Sequence, residues 1–246
     1  MNPNNKFLIV IPARYKSSRF PGKPLAEING KSMIKRVWDI CLQVADKNNV
    51  IVATDNRKII SHCEKLDMNV LETSQDCMTG TDRIAEVSKS MKADFYVNVQ
   101  GDEPVIKPAD IKRIINEFNQ NKDECVCGMT KIISESEFSN LNIPKVVFDQ
   151  NNNLLYFSRA QIPSSKMDGF NQSYKQVCIY ALSKKALKEY GLHKEKTPLE
   201  KIEDIELIRL IEKGFKVKMV EVSSSSIAVD TPEDLKKVIS YLNGSS

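Results

Sequence analysis

Four cations and no acid fall within one short stretch of this chain, Pro12-Ala13-Arg14-Tyr15-Lys16-Ser17-Ser18-Arg19-Phe20-Pro21-Gly22-Lys23-Pro24. Forked arginine donors, a lysine point charge and backbone N–H groups can together collect several negative oxygens. A phosphate-binding loop is one reading of this stretch, and a solvated basic loop is the other. It is not a Walker A loop, because Pro24 follows Gly22-Lys23 where Ser or Thr is required. Nor does the chain carry the G-x-G-x-x-G dinucleotide fingerprint.

Carboxylates stand at two further points. Val97-Asn98-Val99 runs into Gln100-Gly101-Asp102-Glu103-Pro104. An acidic pair directly after a strand suits Mg²⁺, which takes one or two carboxylates plus phosphate oxygens, but a turn capped by Asp102 has the same wording. Near the C-terminal end, Ala228-Val229-Asp230-Thr231-Pro232 opens a helix. Thr231 serves there as cap, which leaves Asp230 free to reach a metal. Gly80-Thr81-Asp82-Arg83 opens another helix, where Thr81 either reads a polar ligand or caps. No Ser/His/Asp or Cys/His nucleophilic set is visible: His62 and His193 read as surface residues. Cys125 and Cys127 have no partner pair at zinc-ligand spacing and read as buried thiols of a reducing compartment.

These residues need a scaffold that brings distant loops together. Phe7 to Ile11 is an apolar, β-branched run, as in a strand buried on both faces. Val50 to Ala53, Phe95 to Val99 and Cys125 to Ile133 repeat that texture. Between them Met33, Ile34, Val37, Cys41 and Val44 recur at helical spacing behind Ser32, as do Ile111, Ile114, Ile115 and Phe118 behind Pro108. Repeated βα units of this kind predict an α/β fold, an open and mostly parallel sheet flanked by helices. Ligands of such sheets bind beyond the carboxyl ends of the strands, where the basic loop and both aspartates fall.

From about Pro144 the texture changes. Lys145 to Phe148 and Leu154 to Phe157 flank a hairpin signal, Asp149 to Asn153. A strand over Gln176 to Leu182, a short helix, and one helix over Pro198 to Lys213 follow, the last with Leu199, Ile202, Ile205, Ile208 and Leu210 facing inward. The whole chain, 1–246, reads as one domain with a hairpin-and-helix lobe inserted at 135–200. A net charge of +4 is too mild to mark a nucleic-acid or membrane-surface protein. The longest apolar run is far short of the roughly 18 residues that span a bilayer, and the N-terminal stretch lacks the wording of a secretory signal.

Taken in order, IPARYKSSRFPGKPL, GTDR, VNVQGDEP, YFSRAQIP and VDTPEDL resemble the motifs of the 3-deoxy-manno-octulosonate (Kdo) cytidylyltransferases, from Phe7 to about Leu242. The YFSR-x-x-IP segment and the Pro198-Leu199-Glu200 helix single out the Kdo branch from the sialic acid cytidylyltransferases. The resemblance implies the Rossmann-like fold of nucleotide-diphospho-sugar transferases. It implies transfer of CMP from CTP to a 3-deoxy-ulosonic acid with Mg²⁺, in a bacterial cytoplasmic homodimer serving lipopolysaccharide or capsule synthesis. By the same analogy Arg14, Ser18, Arg19 and Lys23 hold the triphosphate, and Thr79, Gly80 and Arg83 lie near the cytidine. Asp102 and Asp230 bind the metal, and Gln100, Arg159, Gln176, Tyr180 and Glu206 face the sugar acid, Gln100 also reaching the nucleotide.

The chain departs from the family wording in places. Gln176 stands where K-H-x-G-I-Y has its histidine, and Leu207 where L-E-Q-L-R has its amide. Thr79 replaces a serine before Gly80 but keeps the hydroxyl. The resemblance thus implies Kdo or a close ulosonic acid as the sugar, with a sialic-acid-type or 8-amino-Kdo enzyme as the alternative. A glycosyltransferase on a similar sheet would carry Asp-x-Asp where this chain has Gln100-Gly101-Asp102.

Overall fold

Alternate side chains of one strand serve two cores. In the computed structural model, which describes residues 7–17, 19–121, 124–166, 172–192, 195–223 and 227–244, β1 (Phe7–Pro12) sends Ile9 and Ile11 to one face of the sheet and Leu8 and Val10 to the other. Both faces are covered by helices, so the strand has no polar alternation to show. β1 lies between β4 (Val50–Thr54) and β6 (Phe95–Val99), parallel to each. β5 (Val70–Glu72) continues the parallel set beyond β4.

On the Ile9 face pack α1 (Met33–Cys41), α2 (Arg57–Lys65) and α4 (Pro108–Asn121). Ser32 accepts from the Lys35 N–H and caps α1 as its sequence predicts, and Trp38 is buried against the sheet. The Leu8 face is covered by α3 (Gly80–Ser90) and by helices later in the chain. Before α1, a two-residue hairpin joins β2 (Glu27–Ile28) to β3 (Lys31–Ser32) through Asn29-Gly30, both at positive φ. That is the preferred two-residue turn chemistry.

The second half completes the sheet. β7 (Cys125–Lys131) leads through the short α5 (Glu135–Ser139) to the antiparallel hairpin of β8 (Lys145–Phe148) and β9 (Leu154–Ser158). β10 (Tyr174–Ser183) then runs antiparallel between β6 and β7, and β11 (Val217–Glu221) closes the far edge parallel to β7. The order is β11-β7-β10-β6-β1-β4-β5, with β8 and β9 attached to the start of β10. The stretch 135–200 thus contributes an interior strand to the main sheet, and only the β8–β9 hairpin lies off its path. A bulge between Val177 and Tyr180 falls where β6 stops, so the first half of β10 projects past β6, paired with β7 on one edge and with β8 on the other.

One expected helix is two. The single helix over Pro198 to Lys213 is divided into α7 (Pro198–Glu203) and α8 (Ile208–Glu212), because Asp204 takes a left-handed conformation with φ of 51°. The break turns α7 over. Leu199 and Ile202 face out, 41% and 76% exposed, and Glu200 is the buried member of α7. Ile205, Ile208 and Leu210 are buried as expected. α6 (Lys184–Tyr190) precedes this pair and α9 (Pro232–Leu242) ends the chain, capped by Thr231 with Pro232 at its first position. Among the described residues no helix is long and apolar enough to cross a membrane.

Candidate active site

The carboxyl ends of β1 and β6 and the projecting half of β10 enclose an open cleft of about 750 Å³. At one end of it three distant pieces of sequence meet. The Lys23 ammonium lies 2.7 Å from Asp102 Oδ2 and 3.3 Å from Asp230 Oδ1, and the Arg19 guanidinium lies 3.3 Å from the same Asp230 oxygen. Lys23 sits in a 3-10 turn, Lys23–Leu25, entered through Gly22 at φ of 74°. Asp102 follows β6 directly, and its carbonyl accepts from the Val229 N–H at 2.9 Å, which ties the two aspartate loops together. Burial would lower the Lys23 pKa, but Asp102 and Asp230 outweigh it and hold the group above its ordinary value. It is an ammonium at neutral pH.

Asp102 and Asp230 present hard oxygen donors from two facing loops, a set that fits Mg²⁺ held jointly with phosphate oxygens. Among the described residues no three His, Cys, Asp or Glu side chains form a fuller cage.

Along the cleft from this cluster stand Gln100, Tyr180 and Glu206. Glu206 accepts from the Gly80 and Thr81 N–H groups at 3.0 and 2.9 Å, from the Thr81 hydroxyl at 2.6 Å and from the Tyr180 hydroxyl at 2.9 Å. It satisfies the first donors of α3, where a carboxylate is favoured by the helix dipole. Burial, then the Glu206 charge, raises the Tyr180 pKa well above the ordinary tyrosine range, so Tyr180 stays a neutral donor. Gln100 Nε2 is 3.4 Å from the same hydroxyl. A Cβ on Gly80 would meet the Pro12 ring at 3.2 Å and the Gln100 amide at 3.3 Å, so a side chain there would push one of them back by a few tenths of an ångström.

The remaining expected residues divide. Arg14, Arg159 and Gln176 line the cleft with Arg19, Gln100, Asp102, Tyr180, Glu206 and Asp230. Arg14 donates to the Met78 carbonyl at 3.0 Å, joining the basic loop to the segment before α3. Thr79, Gly80 and Arg83 are outside the cleft lining. Thr79, and not Thr81, caps α3, in a reciprocal pair with Asp82, and its hydroxyl meets Tyr190 at 3.1 Å. Arg83 is buried, bonded to Asp55 at 2.9 Å, to the Thr73 hydroxyl at 2.7 Å and to the Ser74 carbonyl. Ser18 and His193 lie outside the described residues, and His62, on α2, is bonded to the α1 cap Ser32, away from the cleft.

Other lining residues went unread in the sequence. Glu137, Asn140, Lys145's neighbour Pro144 and Asp204 belong to segments with no motif, and Lys175, the first residue of the K-H-x-G-I-Y segment, was given no role; the topology of β8 and β10 brings them here. Cys178 also lines the cleft. Burial, then Glu103 and Asp102, pushes its thiol well above the ordinary range, so it is not an activated nucleophile. Cys125 and Cys127 are buried thiols, as expected.

The sequence profile of the Cytidylyltransferase family matches residues 8–221. A 3-deoxy-manno-octulosonate cytidylyltransferase of Protochlamydia amoebophila is 39% identical over 241 residues, 95% of this chain and 93% of that one. The chain belongs to the 3-deoxy-manno-octulosonate cytidylyltransferase family. An 8-amino-3,8-dideoxy-manno-octulosonate cytidylyltransferase of Shewanella baltica is 38% identical over 93% of this chain and 95% of its own. Among solved structures, a CMP:2-keto-3-deoxy-manno-octonic acid synthetase complexed with CTP superimposes with a TM-score of 0.90 at 35% identity, over 98% of this chain and 100% of that one. The α/β architecture with its mostly parallel central sheet is thus that of this family.

Proposed function

We propose that this chain transfers CMP from CTP to the anomeric hydroxyl of Kdo or a close ulosonic acid, releasing pyrophosphate. The observation that carries this reading is the cluster of Lys23, Arg19, Asp102 and Asp230 at one end of a polar cleft. In the reaction an oxygen–phosphorus bond forms between the sugar and the α-phosphorus, and the bond to the pyrophosphate oxygen breaks. Such a displacement needs in-line positioning and charge stabilisation more than covalent catalysis, which agrees with the unactivated Cys178.

Each residue then has a task. Arg14, Arg19 and Lys23, with Ser18 of the same loop, bind the triphosphate, and Lys23 and Arg19 offset the charge developing on the departing pyrophosphate. Asp102 and Asp230 would hold Mg²⁺, which when bound would supply charge neutralisation to the phosphates and lower the pKa of the attacking hydroxyl. The loop between β5 and α3 is where the cytidine goes. Thr79 and Gly80 shape it, and Arg83 acts from behind by bonding Thr73 and Ser74. Gln100, Arg159, Gln176, Tyr180 and Glu206 face the sugar acid, with Tyr180 and Glu206 fixed against each other and against α3.

The Shewanella relative's name gives weight to an 8-amino substrate, and Gln176 places an amide on this wall where the family wording has an imidazole. A bacterial cytoplasmic homodimer without nucleic-acid or membrane partners completes the reading. Ile133, Leu141, Leu155, Leu192, Leu199 and Ile202, all between residues 133 and 202, are exposed apolar side chains available to self-association. The test is a matrix of four nucleoside triphosphates against Kdo, 8-amino-Kdo, sialic acid and legionaminic acid, with pyrophosphate as readout. Turnover with CTP and an eight-carbon acid is expected. Turnover confined to a nine-carbon acid, or to a nucleotide other than CTP, overturns the assignment.

A further inference from the structure

Lys145, the first residue of β8, is fully buried and touches neither the phosphate cluster nor the Tyr180–Glu206 pair. Its ammonium donates to two main-chain carbonyls, those of Asn140 at 2.7 Å and Arg159 at 2.9 Å. A buried ammonium is costly, and an apolar side chain of similar volume would serve packing at less cost. Its value must lie in the acceptors it holds.

Those acceptors belong to two walls of the cleft. Asn140 begins the segment to Pro144, of which Asn142, Ile143 and Pro144 also line the cleft, and Arg159 stands across from it. The stitching runs both ways. While Lys145 grips the Arg159 carbonyl, the Arg159 guanidinium donates to the Leu141 carbonyl at 2.9 Å and to the Asp204 carbonyl at 3.0 Å. The Arg159 N–H in turn donates to Glu203 Oε2 at 2.8 Å, which places a negative charge beside both cations. Strand pairing locks the frame, since Lys145 is registered against Ser158 in β9 and Lys175 in β10.

We propose that Lys145 is a positioning residue for the sugar-acid end of the cleft, setting the spacing between the 140–144 segment and the Arg159 guanidinium by holding both backbones on one ammonium. This rests on the reading that this end of the cleft takes the sugar. Nothing in the arrangement bears on the triphosphate, so the two substrates should respond differently.

The experiment compares Lys145→Met and Lys145→Gln with the parent chain, varying CTP and Kdo separately and checking folding by thermal melting and by calorimetric CTP binding. Lys145→Met should raise the KM for Kdo at least tenfold and leave the KM for CTP within twofold. Lys145→Gln, which keeps two N–H donors, should recover a large part of the Kdo KM. A folded Lys145→Met with an unchanged Kdo KM overturns the proposal, as do equal changes in both KM values. If only the glutamine variant folds, a Kdo KM raised threefold or more with CTP unaffected supports it, and a smaller rise overturns it. Failure of both variants to fold overturns it in favour of a purely structural lysine. A parent chain that uses no ulosonic acid would instead sink the reading of the site, before any variant is compared.

Discussion

Lys23 and Asp102, 79 positions apart in sequence, lie 2.7 Å from each other, and the same ammonium reaches Asp230 at 3.3 Å. The contact sets the cation proposed to bind the nucleotide between the two carboxylates proposed to hold the metal. Replacing Lys23 by Met should lower kcat by about 10²–10³, the scale of losing one preorganised donor to developing charge. Pyrophosphate release at saturating CTP measures it, and a loss under threefold would remove Lys23 from the chemistry.

The aspartates are expected to act on the metal requirement. Asp102→Asn and Asp230→Asn should each raise the Mg²⁺ concentration for half-maximal rate at least about tenfold, because a neutral amide oxygen is a weaker ligand for a hard cation. A Mg²⁺ titration of the rate checks this, and Asp102→Asn with full kcat at ordinary Mg²⁺ would contradict the ligand assignment.

Behind the site, Arg209 is fully buried, bonded to Glu200 at 2.6 and 2.8 Å and to Asp82 at 2.8 Å, and stacked 3.8 Å from the Tyr190 ring centre. Arg209→Met strands two carboxylates, one of them wholly buried, and should cost about 3–5 kcal/mol. Urea unfolding reads the loss. Arg209→Met combined with Glu200→Gln should cost less than the sum of the single changes, since each single change strands the other's partner.

Asp234, the third residue of α9, is the reciprocal partner of the Thr231 cap and accepts from its N–H and hydroxyl. Burial would raise its pKa, but bonds from Lys237, from Thr231 and from the Asp230 N–H hold it below the ordinary value of 3.8. A carboxylate depressed in the folded state is protonated first in the unfolded chain. Its stabilisation is therefore complete above pH 3.8 and fades as the pH falls through the lower folded value. Asp234→Ala should lose about 1 kcal/mol of cap at neutral pH. Below pH 3.8 its stability should fall less steeply than that of the parent chain, as denaturant melts across pH will show.

The parts of the fold that bury both faces of a strand were legible, because Ile9, Val52 and Val97 leave no polar alternation to misread. Thr231, Pro232 and Asp234 likewise announced the last helix. The break at Asp204 was not legible. Apolar residues at Leu199, Ile202, Ile205 and Ile208 keep helical spacing across it, and only the left-handed residue between them reverses the face. The β2–β3 hairpin had a signal in Asn29-Gly30 that the polar loop around it obscured. At the site, the basic loop and the aspartates were visible because charge clusters after strands. Arg83 was visible as a charge, but its turn toward Asp55 depends on where β4 ends, which no local pattern records. Lys145 left one trace, a lone cation at the head of the apolar run Val146 to Phe148.

Phosphorus NMR of CTP and Kdo incubated with the chain and Mg²⁺ tests the central claim most directly. Stoichiometric pyrophosphate together with one new phosphodiester resonance, the CMP-sugar, is predicted. Appearance of CDP with orthophosphate, or of CMP without a sugar ester, would contradict transfer of CMP at the Lys23–Asp102–Asp230 cluster.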